Sequence, residues 1–416
     1  MTDPSASHGP AAGRPAIAAV YLTAFLQGLS IVAFPAGAAV LKDAFGLGDA
    51  QYGALFLPEV ALAIAGSLGA AALVRRLGLK RLLLLAQAAN GLAMVALAAS
   101  VLVPPAAAFP LLLVATALVG LGFGAGGAPL NALPPVLFPG RGDAAILAQH
   151  TLLGLGLAAG PLLLAPFVRA GLWTGFPVAV AAASLVLLAM SAAATIPADD
   201  RPAGAPGSVP DVAAQPARPL AASPLFWVFG GISVLYAFAE GTFANWAVVF
   251  LHEGIGAPAA TAGIALSVFW GAIVAGRLAA SVLVLRVPSQ VLWLLLPGLM
   301  AAAFLLLPAA STTTAAIALF GLAGLGCSAF FPLTITLASR AFPGRAAAVS
   351  SLMIAALMLG VGTGTFVFGP LREWLTFGEI YRLSAAYPAG AFLLAVGAAC
   401  TPACRRRVRS LRFEVG

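Results

Sequence analysis

Twelve apolar stretches of roughly 20 residues or more follow one another along this chain, separated by Pro, Gly and charge clusters. A helix needs about 20 such residues to cross about 30 Å of hydrocarbon at 1.5 Å per residue. Inside lipid a spanning segment must also satisfy its own backbone, which a helix does unaided. The stretches run approximately 16–41, 51–74, 80–103, 109–137, 143–168 and 173–196, then 223–251, 259–285, 289–309, 312–339, 346–371 and 383–404. Composition agrees with this pattern: 62% of residues are hydrophobic and 8% charged, where soluble domains carry about 25% charged residues. The expected fold is an all-α membrane protein.

The twelve stretches divide into two copies of one half. FPGR occurs at Phe138–Arg141 and again at Phe342–Arg345, 204 residues on. Gly-Leu-Gly and Pro-Leu precede both copies at nearly equal spacing, and Gly-Pro-Leu follows both, at Gly160–Leu162 and Gly369–Leu371. LVRRLG at Leu73–Gly78 matches LVLRVP at Leu283–Pro288, 210 residues on. The domains expected are therefore a tail at 1–15, six-helix bundles at 16–196 and 223–404, a linker at 197–222 and a basic tail at 405–416. The linker is rich in Pro, Ala and Asp with no run that could bury a face. The N-terminal residues show no cationic leader and cleavage site, so the first stretch is read as a retained span.

Lys and Arg accumulate in cytoplasmic loops. With both termini cytoplasmic, sixteen of the 21 basic residues fall on that side, four fall on the other, and Arg277 lies within a span. The same bias accounts for the net charge of +8 and the RRRVRSLRF tail, which suits anionic lipid and needs no nucleic acid. Both FPGR copies then fall on loops of one side, where Pro stops a helix, Gly permits the reversal and Arg anchors the loop.

Enzyme signatures are lacking. Gly122, Gly124 and Gly127 satisfy GxGxxG without the βαβ context the motif needs, and there is no Walker loop, HExxH or nucleophile elbow. Cys327, Cys400 and Cys404 point to neither a disulfide nor a metal site. No cofactor is expected.

Two parallel six-helix repeats, a basic loop at Arg75-Arg76-Leu77-Gly78-Leu79-Lys80-Arg81 and a Gly/Pro-rich fifth span resemble the major facilitator superfamily of secondary transporters. Arg75 stands where that family usually has Asp. Gly154, Gly156, Gly160 and Pro161 resemble the fifth-span signature frequent in drug antiporters, although small residues also serve close helix approach. The segment EGTFANW (Glu240–Trp246) is similar to the seventh span of the fucose:proton symporter family, whose sugar symporters carry an acid on span 1 where this chain offers Gln27 and Ser30. The resemblance implies two pseudo-symmetric bundles rocking around a midplane site lined by spans 1, 4, 7 and 10. It also implies a gating loop at Arg76, Gly78, Lys80 and Arg81.

A charge within a span costs roughly 2.5–3.5 kcal/mol on insertion scales, which makes ionisable residues there functional candidates. Glu240 on span 7 and Glu59 on span 2 are the two acids expected to carry protons, Glu240 foremost because it sits on a cavity-lining span beside Gly241. Ligand contacts are expected from Tyr236, Glu240, Gln27, Asn131, Phe331, Asn245 and Trp246. On an ideal helix Tyr236, Glu240 and Phe243 share a face from which Asn245 and Trp246 point away. Gln149, His150, Phe330 and Thr334 are weaker candidates, and Arg277 is read as a residue that snorkels to the near surface. The expected function is secondary transport of a small solute, proton-coupled, by a monomer in the inner membrane. An uncoupled facilitator and a non-transporting membrane receptor or assembly factor on the same fold remain as alternatives.

Overall fold

The structure is a computed structural model that describes residues 13–196, 220, 222–342 and 345–401. Its twelve membrane-length helices are α1 (Arg14–Ala36), α2 (Asp49–Ala70), α3 (Ala72–Ala99), α4 (Pro105–Leu137), α5 (Ala144–Arg169) and α6 (Gly175–Ala193), followed by α7 (Pro224–Gly254), α8 (Ala259–Leu283), α9 (Ser289–Ala309), α10 (Thr313–Ala341), α11 (Val349–Leu371) and α12 (Phe377–Cys400). Strands are absent from the described residues. The basic C-terminal tail and the linker at 197–219 lie outside them, as do residues 1–12. The end of the bundle where α1 begins is called the termini side below, and the opposite end the far side.

The repeat seen in the sequence is a repeat of contacts. Within the first half α2 packs on α4 and α1 on α5; within the second, α8 packs on α10 and α7 on α11. A Cβ added to Gly120 would lie 1.8 Å from the carbonyl oxygen of Glu59, and one added to Gly324 would lie 2.2 Å from that of Phe269. These pairs are related by the same offsets, about 204 residues on the fourth and tenth helices and 210 on the second and eighth. Gly122 against Asn90 is likewise repeated by Gly326 against Met300. Lipid tails give helices no hydrophobic reason to associate, so backbone approach at small residues supplies van der Waals contact instead. Only glycine fits at these two carbonyls.

The FPGR turns match as well. Arg141 N donates to Phe138 O (3.1 Å) and Arg345 N to Phe342 O (3.2 Å), and in the first copy Gly140 takes φ 80°. Pro343 and Gly344 of the second copy fall outside the described residues.

Three boundaries differ from the sequence reading. Helix α1 ends at Ala36 because Pro35 and Gly37 interrupt it, and a short helix Ala38–Phe45 continues to a left-handed Gly46. The loop expected between the second and third spans is a single-residue break: α2 and α3 form one helix, Phe56–Ala99, that runs on past Ala70 and is interrupted only at Gly78, with φ 78° and ψ 163°. Lys80, just past the break, donates to the carbonyls of Ala192 (2.9 Å) and Ala194 (2.8 Å), satisfying acceptors left over at the end of α6. Helix α12 begins six residues before the expected 383, because Thr376 and Glu379 form a capping box. Arg382 and Glu379 had the look of a loop.

Cross-half packing of α2 on α11 and of α5 on α8 joins the bundles. Helix α7 runs at the centre: Phe229, Tyr236, Phe243 and Trp246 along it are at most 1% exposed. Replacing Gly120 by Ala should destabilise the protein by about 1–3 kcal/mol through overpacking of α4 on α2. Gly127→Ala, whose added Cβ meets nothing within 4 Å, should stay within about 0.5 kcal/mol of wild type. Thermal unfolding in detergent compares the two; equal losses would remove the steric account.

Candidate functional site

The middle of α10 is broken, and the break creates acceptors. Its helix stops at Ser328, Ala329 adopts φ −108°, and a new helix starts at Phe330. Pro332 has no N–H to give to the carbonyl four residues back, that of Ser328. Carbonyl groups freed inside a membrane bundle must find other donors. Arg277 Nε of α8 donates to Ser328 O at 3.0 Å, and the Tyr236 hydroxyl of α7 donates to Cys327 O at 3.1 Å. Tyr236 and Arg277 thus end on successive peptide carbonyls.

Glu240 lies one helical turn beyond Tyr236, is 8% exposed, and its charge acts on the Tyr236 hydroxyl. The charge of Arg277 acts on Glu240, but the two form no ion pair among the described residues. Phe331 stacks on the Tyr236 ring at 5.6 Å and 9°, and Phe330 lies 5.7 Å from it.

The first half closes this group from the other side. Gly154 of α5 abuts Val274 of α8, so that a Cβ there would be 2.7 Å from Val274 Cγ2. One turn nearer the termini side, His150 therefore faces the level of Arg277, and the Arg277 charge reaches it. His150 Nε2 is 3.1 Å from Asn131 Oδ1, while Asn131 Nδ2 donates to Gly127 O at 2.8 Å. With the Asn131 amide so oriented, His150 donates from Nε2. Asn131, His150 and Arg277 are all exposed although they face one another.

Tyr236, Glu240 and Phe331 are thus neighbours, and Asn131 is connected to them through His150 and the charge of Arg277. The sequence reading undervalued Arg277. Its side chain is exposed, with Nε held by the Ser328 carbonyl that Pro332 leaves without its helical donor. That proline, four residues after Ser328, is the signal that could have located it.

Other expected residues stand elsewhere. Gln27 is buried between α1 and α4 and donates to Gly122 O at 3.2 Å. Gln149 is buried on α5. Thr334 accepts from Trp293 Nε1 at 2.8 Å inside the second bundle. Asn245 and Trp246 are not brought together with Glu240: Asn245 Nδ2 donates to Thr365 Oγ1 (2.8 Å) and Trp246 Nε1 to Thr365 O (3.1 Å), both on α11. Of the loop residues, Gly78 makes the break and Lys80 the cap described above, while Arg76 and Arg81 face outward.

Glu59 lies on the face of α2 that also carries Tyr52, and its charge acts on Tyr52. The Tyr52 hydroxyl donates to Asn245 O at 2.8 Å and its ring meets Trp246 edge-on at 5.2 Å. Glu59 Oε2 is buried with no hydrogen-bond partner among the described residues.

Above Tyr52, on the far side, stands an ion-pair network absent from the sequence reading. Lys42 contacts both Asp49 and, at 2.5 Å, Glu253 at the end of α7. Arg372 Nε, at the end of α11, is 3.2 Å from Asp49 Oδ2, close enough to attract though not aligned as a hydrogen bond. His252 Nε2 is 3.6 Å from Asp43 Oδ2. Every one of these contacts joins one half to the other, except that of Lys42 with Asp49. The signal was available in the pairing of far-side Lys42 and Arg372 with acids at neighbouring helix ends.

Comparison with known proteins agrees with the architecture. No curated protein sequence matches. Among solved structures, a D-xylose-proton symporter superposes with a TM-score of 0.75 at 15% identity, covering 94% of this chain and 98% of that one. A nucleoside transporter gives 0.74 at 14% identity, covering 92% and 99%. A bacterial homologue of the human lysosomal transporter Spinster, in an inward-facing and occupied conformation, gives 0.64 at 17% identity, covering 93% and 96%. The Major Facilitator Superfamily model matches residues 20–365. With that match spanning most of the chain, and twelve membrane-length helices arranged as two repeated bundles, the protein belongs to the Major Facilitator Superfamily, a multi-pass membrane transporter and not an enzyme.

Proposed function

We propose that the protein is a proton-coupled secondary transporter that moves a small solute through a central site built by Tyr236, Glu240, Phe331, Asn131 and Arg277. The observation that carries the reading is Glu240: a buried carboxylate beside Tyr236, within the field of Arg277 yet unpaired with it. Such a group can hold or release a proton as its neighbours change. One solved structure of similar fold is that of a D-xylose-proton symporter, which favours proton over other coupling. Glu59, half-buried below the far-side contact with its Oε2 enclosed, is the second proton-carrying candidate.

The membrane is the inner membrane, with both termini and the loops bearing most of the Lys and Arg on the cytoplasmic side. Access alternates between the two sides. In this conformation the far side is held shut by the Lys42, Asp49, Glu253 and Arg372 network with Tyr52, Asn245 and Trp246 beneath it. Exposure of Asn131, His150 and Arg277 supports an open path toward the termini side. Arg76, Gly78, Lys80 and Arg81 form the hinge region of the opposite gate. The transporter works as a monomer.

Two experiments test this. In a thermal-shift screen of solutes across pH, the apparent affinity of a stabilising compound should change about tenfold per pH unit where one proton is linked to its binding. Tightening at low pH indicates co-binding of solute and proton, tightening at high pH exchange. Glu240→Gln should abolish the slope; an unchanged slope in that variant assigns Glu240 a structural role. For the gate, Lys42→Gln removes the cation shared by Asp49 and Glu253. Loss of a partly buried pair of about 1–3 kcal/mol should shift the far-side equilibrium five- to 150-fold. Spin labels at Ala170 and Trp374, both exposed on the far side, should then show a population at longer distance, and an unaltered distribution would count against the gate.

A further inference from the structure

The bond to the Ser328 carbonyl accounts for only one of the donors of Arg277. Arg277 sits six residues inside the end of α8 and turns toward the middle of the bundle. Its one hydrogen bond among the described residues uses Nε, leaving both terminal NH2 groups without a protein acceptor. No carboxylate pairs with it there, Glu240 included. An accessible guanidinium whose charge has no protein partner at contact distance, and whose donors are mostly unused, is free to take an anion. Nε is held by Ser328, and the Arg277 charge acts on Glu240, Tyr236 and His150, which places the guanidinium in their neighbourhood.

Four features of that space define an occupant. The planar NH2 fork matches a carboxylate, which accepts two parallel hydrogen bonds. The Tyr236 and Phe331 rings, stacked beside it, offer an apolar wall. Tyr236 on its own helix, Arg277 from α8 and Cys327 from α10 are the titratable groups electrostatically linked to Glu240. Of these only Arg277 carries a permanent charge, so once Glu240 holds a proton a single positive charge remains. A monoanion balances it, whereas a dianion brings an excess negative charge beside the Glu240 carboxyl and a neutral solute leaves the fork unmatched.

We propose that the central site takes an organic monocarboxylate, its carboxylate gripped by the NH2 fork of Arg277 and its apolar body laid against Tyr236 and Phe331. This rests on the central site proposed above and adds the class of solute. Asn131 and His150, on the first half, lie across from Arg277, so the bound anion touches both bundles. A ligand that binds α8 and α5 together is positioned to bias their relative arrangement.

The test is calorimetric titration of the full-length protein in detergent with lactate and benzoate, their neutral amides lactamide and benzamide, and the dianion phthalate. At least one of the two acids should bind about tenfold or more tightly than its amide and than phthalate. Arg277→Gln should reduce the acid to the affinity of its amide, and Arg277→Lys, which keeps the charge but loses the fork, should fall between. Acid and amide binding equally to wild type, an acid affinity unchanged in Arg277→Gln, or no binding of either acid overturns the assignment. Tyr236→Leu separates the two levels of failure. If acid and amide bind equally and both weaken in Tyr236→Leu, the monocarboxylate is wrong and the central site stands; if Tyr236→Leu also changes nothing, the central site itself is wrong.

Discussion

The contact of Gly120 with the Glu59 carbonyl, and its repeat at Gly324 and Phe269, sets the spacing on which the rest of the molecule depends. Two helices meeting backbone to backbone have little freedom to slide, because each neighbouring side chain then fits only one register. Once α8 is seated on α10 in this way, Arg277 is carried to the level of Ser328. Gly276, the residue before it, is itself so close that a Cβ would lie 2.5 Å from Ser328 Oγ. The same spacing in the first half seats α2 on α4 and fixes the height of Glu59. Functional side chains are thus positioned by residues that have no side chain.

Charge placement follows from the same economy of polar groups. A bundle in lipid can hold a charge where a partner or water reaches it, and two regions meet the condition. On the far side Lys42 is shared by acids of both halves, and Arg372 of the second half reaches Asp49 of the first. In the middle, Arg277 and Glu240 lie in one another's field without pairing. The first arrangement pairs charges across the two halves and holds helices together. The second is unpaired in this conformation, which on the proposed reading leaves it open to a ligand.

The architecture was legible in the sequence because hydrocarbon thickness and the repeat act over tens of residues. Span count, the two halves and the FPGR turns all follow from patterns of that length. What escaped was decided by single backbone groups. The loop foreseen between the second and third spans shrank to Gly78, since one left-handed residue suffices to redirect a helix. The start of α12 was hidden because a capping box looks polar. At the site, the pairing of Tyr236 with Glu240 could be read from helical spacing alone. Arg277 could not, because its direction depends on a carbonyl that Pro332, 55 residues later in the chain, leaves free. Gln27 shows the converse: a polar residue on a span expected to line the cavity is consumed by the Gly122 carbonyl.

Helix α7 connects the two polar regions. Glu240 and Asn245 are five residues apart on it, about 7.5 Å along the axis. Between them Gly241 is pressed on α11, where a Cβ would lie 2.9 Å from Val361 O and 3.0 Å from Thr365 Oγ1. Thr365 is the residue that accepts from Asn245, and its carbonyl accepts from Trp246. Tyr52 of the first half in turn donates to the Asn245 carbonyl. A change at Glu240 that shifts α7 on α11 therefore reaches the cross-half contact through one tightly packed residue, with no flexible segment between. On the proposed mechanism this makes the seventh helix the element both events share: the central site biases its position, and the far-side closure reads it. Close packing gives such a helix discrete resting positions in place of a continuous range, and two discrete positions are what a transporter open to one side at a time requires.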